Sequence, residues 1–584
     1  MAIDASGNAM SRFLITTADE STWVFDRPVL FLGHWCLNPS REHIWSKMDY
    51  VVFNPKFSAS ALDEHFATMN LLYDDLLTDL SAALNGYHRC DHSKRYWTIL
   101  IGPWLRFFCN QIMFRWTHLN GAISRFEIKD QYSEFNVDVG DVQPHNFVDY
   151  QRLSNTDTWS QYMYSKLLIL RTPAHQTSTP DTNNLSRRVT QQTSVITAVN
   201  KGRSIGKEII IADSYLPRKS EFILKLMARK PSINIPRITA PSAPQDFNKR
   251  ACLEFSGRAT NGLHLTSRAL IADQLPTAYL EGYPQLIESA KRLRLATHPK
   301  TIFTSNRHLY DDVFNVWVAQ ATELGSTYVI GQHGGNYGSS LYKSHAELHE
   351  EQVADVHLTW GWGMLKNQIK GPCLKTIGLN NRNTPRGQRL LFVGDHMWTH
   401  PRSLFCDISE TDGYLEYVSR CINALPDGIR RDVQLRIHPG HANFGLSQLE
   451  WWQQNSPETV LDNGKSDFRK LIETSRLVVS TSNQTTFLQT LNLNIPTLIT
   501  WDQSYCKLRV EATPYFDLLE QVGIFHRSAE SFASHLCRHW DEIEIWWERE
   551  DVQAARLSFC ENFSRIEKHP LRFLLRKLNW PEND

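Results

Sequence analysis

The chain has 584 residues, with 62 basic and 62 acidic side chains, 41% hydrophobic residues and 21% charged residues. This length exceeds one ordinary hydrophobic core, so two or three domains are expected. The balanced charge argues against nucleic-acid binding, and the composition is typical of a globular protein. The ten cysteines have no CxxC spacing, which argues against a zinc site or a disulfide scaffold and favours free thiols in a reducing cytoplasm.

The first 130 residues begin with short apolar runs and continue with helical periodicity. Strands are predicted at Phe13–Thr17 and Val29–Gly33, and leucine spacing predicts a helix over residues 61–85. Residues 97–102 are predicted as a strand, followed by an amphipathic helix, because Pro103 and several polar residues interrupt the apolar stretch. A membrane span is therefore not expected there.

Parallel α/β structure is predicted after residue 207. Glu208–Asp213 is typical of a buried strand, and strand, helix and strand follow within residues 301–331, which indicates a parallel crossover unit. Two irregular insertions interrupt this region: residues 171–207, which are rich in polar residues, and residues 231–247, which contain four prolines.

A second α/β series follows a polar, turn-rich joint at residues 380–388. Its predicted strands and helices alternate as in a doubly wound sheet. The sequence therefore predicts an N-terminal α/β domain over residues 1–380, a C-terminal α/β domain over residues 381–512 and a helical tail over residues 513–584.

One loop stands out as a candidate site because an apolar strand stops abruptly at polar and flexible residues. Gln332-His333-Gly334-Gly335 follows the predicted strand at 327–331. In open α/β sheets the crevice beyond the carboxyl ends of the strands binds ligands. The glycines permit close approach of a ligand, and His333 is suited to act as a general base or as a donor to phosphate.

A second histidine ends a strand of the later series. Pro439 stops that strand directly after His438, and Arg436 lies two residues earlier on the same predicted face. The loop Ser480-Thr481-Ser482 follows another strand and opens a helix, where hydroxyls and backbone amides suit a phosphate. Ordinary helix capping is the alternative for this loop.

Several carboxylates also follow predicted strands. Asp395 ends the first strand after the joint, and Asp213 and Glu20 follow earlier strands, so each is placed to face a crevice. His345 and His349 have a spacing that could chelate a metal, but they lack an HExxH pattern and a third ligand. No metal site is therefore expected.

These motifs together resemble a GT-B glycosyltransferase. More narrowly, the segments at residues 13–23 and 29–33, Gln332–Gly335, His438-Pro439 and Ser480–Ser482 resemble a transferase family encoded in bacterial O-antigen clusters. That family is similar to CDP-glycerol glycerophosphotransferases and to bacterial β-Kdo transferases. The glycerophosphotransferases have a tryptophan where this chain has Gln332, and the two insertions carry none of the resemblance.

The resemblance implies a fold and roles for these residues. The fold would be two doubly wound Rossmann-like domains facing a cleft, with a helical C-terminal tail. It implies that His438 contacts the donor phosphate with Ser480, Thr481 and Ser482 beside it, and that a carboxylate of the N-terminal domain, preferably Asp213, takes part in catalysis. Their positions after predicted strands add Gln332, Gly334, Gly335, Asp395, Arg436 and Pro439 to the expected donor-binding residues, and His333 and Glu20 to the expected catalytic residues.

The predicted activity is transfer of a sugar, Kdo or a related acidic sugar, from a CMP-type donor to a surface polysaccharide or O-antigen acceptor. The enzyme would be cytoplasmic, with no cofactor, no metal and no nucleic-acid partner, acting on a glycan or lipid-linked saccharide. Two alternatives stay open: glycerol- or polyol-phosphate transfer from a CDP-linked donor, and a non-catalytic sugar- or nucleotide-binding protein. The basic and apolar segment 563–580 either contacts the inner membrane surface or packs on the N-terminal domain.

Overall fold

The fold is taken from a computed structural model. It describes residues 11–38, 41–131, 139–171, 208–228, 235–253, 255, 259, 261–379, 387–405, 411–439, 448–504 and 506–579. Residues 172–207 of the polar insertion predicted at 171–207, the first residues of the proline-rich insertion and most of the predicted joint at 380–388 lie outside these ranges.

The chain forms two compact units, each built from separate stretches of sequence. Unit 1 contains residues 1–206, 236–298 and 309–326, and unit 2 contains residues 207–235, 299–308 and 327–584. The predicted domain limits at 380 and 512 follow chain order and are not tested by this division, so they stay predictions.

Parallel β-sheets form the framework of both units, which confirms the predicted α/β class. Among the described residues there are three sheets, with the strand orders β3-β2-β1-β4, β5-β6-β7-β8-β9 and β12-β11-β10-β13-β14-β15. The first sheet lies in unit 1 and the other two lie in unit 2. The strands are β1 Arg12–Ile15, β2 Val29–Phe31, β3 Tyr50–Val52, β4 Ile128–Gln131, β5 Ile209–Ala212, β6 Thr301–Thr304, β7 Thr327–Gly331, β8 Val356–Thr359, β9 Gln368–Lys370, β10 Leu390–Val393, β11 Val433–Arg436, β12 Val460–Asp462, β13 Leu477–Ser480, β14 Thr497–Thr500 and β15 Phe525–His526.

Helices connect and cover these strands. Those in the described part of unit 1 are α1 Glu42–Trp45, α2 Ala59–His88, α3 Lys94–Arg125, α4 Val139–Val142, α5 Phe147–Leu153, α6 Asp157–Leu170, α8 Phe247–Ala251, α9 Gly262–Gln274, α10 Tyr283–Lys291 and α11 Asp312–Glu323. Those in the described part of unit 2 are α7 Arg218–Met227, α12 His345–Val353, α13 Thr411–Asn423, α14 Asp427–Arg430, α15 Gln448–Asn455, α16 Phe468–Thr474, α17 Thr485–Asn492, α18 Thr513–Gln521, α19 Ala529–His539, α20 Ile543–Glu548, α21 Glu550–Phe563 and α22 Pro570–Leu578.

The central strands of unit 2 are apolar because helices cover both faces of a parallel sheet. Tyr328, Val329 and Ile330 of β7 are 0% exposed, and every residue of β13 and β14 is buried. A polar residue at the end of such a strand therefore lies at the edge of a buried sheet that excludes water.

Helix α3 corrects the prediction of a strand at residues 97–102. A single helix runs from Lys94 to Arg125 and passes through Pro103. Its side chains are buried almost without interruption from Tyr96 to Arg115, and it packs against α2 and α11. Burial of this helix on all sides thus offsets the loss of the backbone hydrogen bond that the proline removes. Among the helices that the structure describes, none has both the length and the apolar character needed to cross a membrane.

The C-terminal helices of unit 2 return to residues from the middle of the chain. Helix α22 packs on α7, and the hydroxyl of Thr301 in β6 donates to the carbonyl of Leu578 at 2.8 Å. The backbone amide of Arg565 donates to the carbonyl of Trp360. The segment following α21 therefore contacts the five-stranded sheet.

Candidate active site

Three neighbouring strands of the five-stranded sheet place polar side chains at one edge. β5, β6 and β7 pair in parallel, so Asp213, His308 and His333 follow the same ends of adjacent strands. Carboxyl ends of parallel strands form the ligand-binding edge of α/β sheets.

Gln332 holds the loop that carries His333. Its side chain is 0% exposed, and Oε1 accepts hydrogen bonds from the Trp360 amide and the Trp362 indole, both at 2.8 Å. Its Nε2 donates to the carbonyl of Gly334 at 2.8 Å. Both ends of the Gln332 amide are thus bound inside the protein, where they hold the loop, and its predicted contact with the donor stays a prediction.

His333 lies beside a buried carboxylate that the sequence analysis did not single out. Its Nδ1 is 3.1 Å from Oε1 of Glu350, and the imidazole is 18% exposed. The hydroxyl of Tyr337 donates to the same oxygen at 3.1 Å. His308 Nε2 lies 3.1 Å from Oε1, and His357 Nε2 lies 3.4 Å from Oε2.

The charge of Glu350 determines which nitrogen of His333 carries the proton in the neutral ring. Burial alone would raise the pKa of the Glu350 carboxyl, but His333, His308 and His357 hold that pKa well below its usual range. An ionised carboxylate accepts hydrogen bonds and donates none, so it favours a proton on Nδ1 of His333. Nε2 is then left with a lone pair for a substrate proton.

The His333 loop contacts the start of helix α17 directly. The amide of Gly335 donates to Thr485 Oγ1 at 2.9 Å. A Cβ on Gly335 would lie 2.2 Å from the carbonyl carbon of Gln484, so this position requires glycine. Further along the loop, Asn483 Nδ2 donates to the hydroxyls of Ser339 and Ser340 at 3.0 and 3.2 Å.

The predicted phosphate loop is buried and partly occupied by its own contacts. Thr481 Oγ1 donates to the carbonyl of Val393 at 2.9 Å, and Ser480 Oγ donates to the carbonyl of Ser482 at 3.3 Å. The Ser482 hydroxyl makes no hydrogen bond within the described part of the chain. The side chain of Gln484 does not cap α17. Ser482 and the first turn of α17 thus keep donors for an anion.

His438 lies at the end of β11 against His396, which follows the neighbouring strand β10. Their rings stack with centroids 4.6 Å apart. Burial, followed by the nearby His438 and Arg402, lowers the pKa of His396 to about 3, so His396 stays neutral at physiological pH. Asp395 accepts a hydrogen bond from the His396 amide at 2.6 Å, and Pro439 is exposed beyond His438.

Arg436, predicted to face the donor, pairs with a buried carboxylate of the neighbouring strand. It lies 2.5 Å from a carboxylate oxygen of Asp462, its register partner on β12, and donates to the carbonyls of Gly464 and Ser466. Strand alternation gives the face of a side chain but does not reveal a partner on the next strand. The charge of Arg436 is therefore neutralised inside the six-stranded sheet.

The two predicted catalytic carboxylates lie in different units. Asp213 follows β5 in unit 2 with a left-handed φ of 45°, and its Oδ2 is 3.9 Å from Nη1 of Arg307. Glu20 lies in unit 1, where Arg41 binds both of its oxygens at 2.6 and 2.7 Å and lowers the pKa of this carboxyl. Asp213 thus shares a sheet edge with His333, whereas Glu20 is held by an exposed arginine.

A pattern in helix α12 could have revealed Glu350. The buried residues of this helix are Ala346, Glu347, His349, Glu350 and Val353, which are spaced as one helical face. Two carboxylates and a histidine on the inward face are unusual unless they are paired. No group of three or more potential ligands suited to a metal occurs in the described ranges.

Comparisons with known proteins give a family match and distant structural likenesses. The profile of the LIC12162 family transferases matches residues 12–578. No curated protein matches the sequence.

Three solved structures illustrate the likenesses. The spinosyn rhamnosyltransferase SpnG, complexed with spinosyn aglycone, is 14% identical, with a TM-score of 0.27 over 51% of this chain and 77% of that one. A protein assigned as UDP-N-acetylglucosamine 2-epimerase from Listeria monocytogenes is 12% identical, with a TM-score of 0.30 over 50% and 77%. MurG from Acinetobacter baumannii is 10% identical, with a TM-score of 0.29 over 64% and 99%. Likenesses of this strength do not assign an activity, which must come from the family match and from the geometry of the site.

Proposed function

The chain belongs to the LIC12162 family of transferases, and from this premise we propose that it is a GT-B glycosyltransferase with His333 as its general base. The observation that carries the proposal is the 3.1 Å pair between His333 Nδ1 and the buried carboxylate of Glu350. A base positioned by a third group at a strand end is the arrangement that proton abstraction from a hydroxyl requires.

The reaction needs one proton transfer and one displacement. Nε2 of His333 accepts the proton of the acceptor hydroxyl while the acceptor oxygen forms a bond to the anomeric carbon of the donor. The bond between that carbon and the donor phosphate oxygen breaks, and the electron pair leaves with the nucleotide. Glu350 stabilises the imidazolium that forms, because its carboxylate lies beside Nδ1.

The donor side of the proposal uses the six-stranded sheet. His438, Ser482 and the uncapped first turn of α17 supply hydrogen-bond donors for the departing phosphate. We assign Gly334, Gly335 and Asp395 to the walls of this donor site. Positive potential from the protein would then replace a metal ion. The resemblance to β-Kdo transferases favours a CMP-linked acidic sugar as the donor, with Asp213 beside the anomeric centre.

The acceptor side is proposed on the resemblance alone. It favours a surface polysaccharide or O-antigen precursor, a glycan or lipid-linked saccharide, in the cytoplasm. A basic and apolar helix such as α22 suits a peripheral contact with the inner membrane face, although its described contacts with α7 already occupy part of its surface.

Replacing His333 by Ala tests the function. We expect turnover to fall by about 10²- to 10⁴-fold, the usual contribution of a general base. Nucleotide release is measured with CMP-Kdo, UDP-sugars and CDP-glycerol in the presence of a glycolipid extract, and products are identified by mass spectrometry. His569→Ala, at an exposed histidine of the same unit, is the matched control and should keep wild-type turnover.

Two outcomes would contradict the proposal. Phosphodiester products alone would replace glycosyl transfer with polyol-phosphate transfer. Equal turnover in the wild type and the His333→Ala variant would remove the role of His333 and favour a non-catalytic binding protein.

A further inference from the structure

Tyr215 lies edge-on against His333 at the candidate site. The ring centroids are 5.9 Å apart and the planes are perpendicular. Tyr215 has a φ of +65°, and Asp213, two residues earlier, has a φ of +45°. Side chains with a Cβ rarely adopt this conformation, so the loop after β5 holds Tyr215 at this place against a conformational cost.

Lys375 lies over the ring of the same tyrosine. Its Nζ lies 3.9 Å from the centroid of the Tyr215 ring, within the range of a cation–π contact. The short helical turn that carries Lys375 packs tightly against β7 through the neighbouring Leu374. A Cβ on Gly331 would lie only 2.7 Å from Cδ1 of Leu374, so Leu374 uses the space that the glycine leaves. The next turn is fixed by a hydrogen bond from Ser220 Oγ to the carbonyl of Ile377 at 2.7 Å.

The ammonium group of Lys375 has no carboxylate partner within the described part of the chain. Burial lowers the pKa of Lys375, and the thiol of Cys373 is the one described group that opposes this effect. The Tyr215 hydroxyl also makes no hydrogen bond to a described residue, and burial raises its pKa. By contrast, Arg307 at the same edge lies 3.9 Å from the carboxylate of Asp213.

A half-buried cation without a counter-ion is costly unless a ligand supplies the negative charge. We propose that Lys375 and Tyr215 form a subsite for an anionic group, a carboxylate or a phosphate, on the substrate that reaches His333. This inference rests on the proposed function, in which His333 takes the acceptor proton. The subsite would select acidic substrates and hold their charged group close to the reacting hydroxyl or anomeric centre.

Anion binding tests the subsite without knowledge of the natural substrate. Inorganic phosphate and glucuronate are titrated separately by calorimetry into Lys375→Met and Lys366→Met. All proteins also carry His438→Ala, which weakens the donor-phosphate site, and Lys366→Met reports the anion binding that remains there. Lys366 is an exposed lysine of the same unit and serves as the matched control. Melting midpoints confirm that each variant is folded.

We expect Lys375→Met to bind its preferred anion at least about tenfold more weakly than Lys366→Met, as for the loss of one charge-assisted contact. Lys375→Arg should recover part of the affinity. The anion that binds more tightly identifies the group as a carboxylate or a phosphate. Equal affinities in Lys375→Met and Lys366→Met would overturn the subsite.

The outcomes separate this inference from the proposed function. If Lys375→Met binds both anions normally while His333→Ala loses turnover, the subsite is wrong and the transferase proposal stands. If Lys375→Met loses anion binding while His333→Ala keeps full turnover, the anion site stands and the role of His333 is wrong.

Discussion

Glu350 keeps its charge inside the protein beside three imidazoles. Its carboxylate pairs with His308, His333 and His357, and Tyr337 donates a further hydrogen bond. Burial lowers the pKa of His308 and so favours its neutral form. His308 therefore does not neutralise the negative charge of Glu350. His333 is the most exposed of the three imidazoles, so the negative charge acts mainly on the ring that reaches a substrate.

Replacing Glu350 by Gln tests this coupling. The amide keeps the shape but removes the charge that stabilises an imidazolium, so we expect kcat to fall by at least about tenfold with a smaller change in KM.

A merely structural role for Glu350 would lower the melting midpoint and leave the kcat of the folded enzyme unchanged. His357→Asn is the control for damage to the buried cluster, since it removes another partner of Glu350 without touching His333. If Glu350→Gln keeps the wild-type kcat, the coupling is wrong.

The outcome for single residues shows where sequence patterns suffice and where they do not. His333 could be singled out from the sequence, because an apolar strand ends just before it and glycines follow it directly. Glu350 could not be assigned to it, because their contact joins a strand end to a helix and no local spacing records that. The partner of Arg436 could not be predicted for the same reason, since Asp462 is close only through strand pairing.

At the scale of elements, the loop after β7 and the first turn of α17 act as one piece. Gly335 bonds to Thr485, and Asn483 bonds to two serines further along the same loop. The proposed general base and the proposed phosphate-binding turn are thus held together by these hydrogen bonds.

Two adjacent glycines provide a matched test of that contact. A Cβ on Gly335 would lie 2.2 Å from the backbone of Gln484, whereas a Cβ on Gly334 would meet only Thr485 Oγ1 at 3.7 Å. We expect Gly335→Ala to displace the loop, lower turnover by roughly 10²-fold and reduce the melting midpoint.

Gly334→Ala should fold and melt like the wild type, because 3.7 Å is an ordinary contact. Comparable melting curves and turnover for both variants would show that the loop does not need its close approach to α17. Thermal denaturation and nucleotide release measure the two effects separately.

Elements can be predicted wherever a buried strand is short and bounded by turns. Strands β5, β6 and β7 lie within a residue or two of their expected ends, because hydrophobic runs and turn residues mark them. Helix α3 does not obey that rule, since an apolar run inside a helical core has no periodicity to distinguish it from a strand. The separate sheet formed by β1 to β4 also needs tertiary information.

Across the whole molecule, buried histidines make stability depend on pH. Burial lowers the pKa of His88, His118 and His526 to about 4 and of His396 and His535 to about 3, from 6.5. Below pH 6.5 the unfolded chain binds protons at these five sites that the folded protein excludes, so the free energy of unfolding falls as pH falls. Asp312 and Glu347, with pKa values raised by burial to about 6 and 7, act in the opposite direction but are fewer.

The melting midpoint should therefore fall by roughly 3 °C or more between pH 7.5 and pH 5.5. Differential scanning calorimetry in buffers of equal ionic strength measures the shift. The prediction is wrong if the melting midpoint stays constant or rises as the pH is lowered. The five imidazoles would then titrate in the folded protein much as they do in the unfolded chain.

The division into units has a consequence for how the protein is synthesised. The polypeptide passes between the two units five times, at residues 206, 235, 298, 308 and 326. Strand β5 leaves the ribosome almost ninety residues before β6, the neighbour that its backbone must bond to. Unit 1 cannot finish folding until residue 326 has emerged from the ribosome. More than half of the chain is therefore synthesised before this unit can form all of its contacts. Nascent chains of this protein should therefore depend strongly on chaperones, and no single cut in the gene would yield either unit intact.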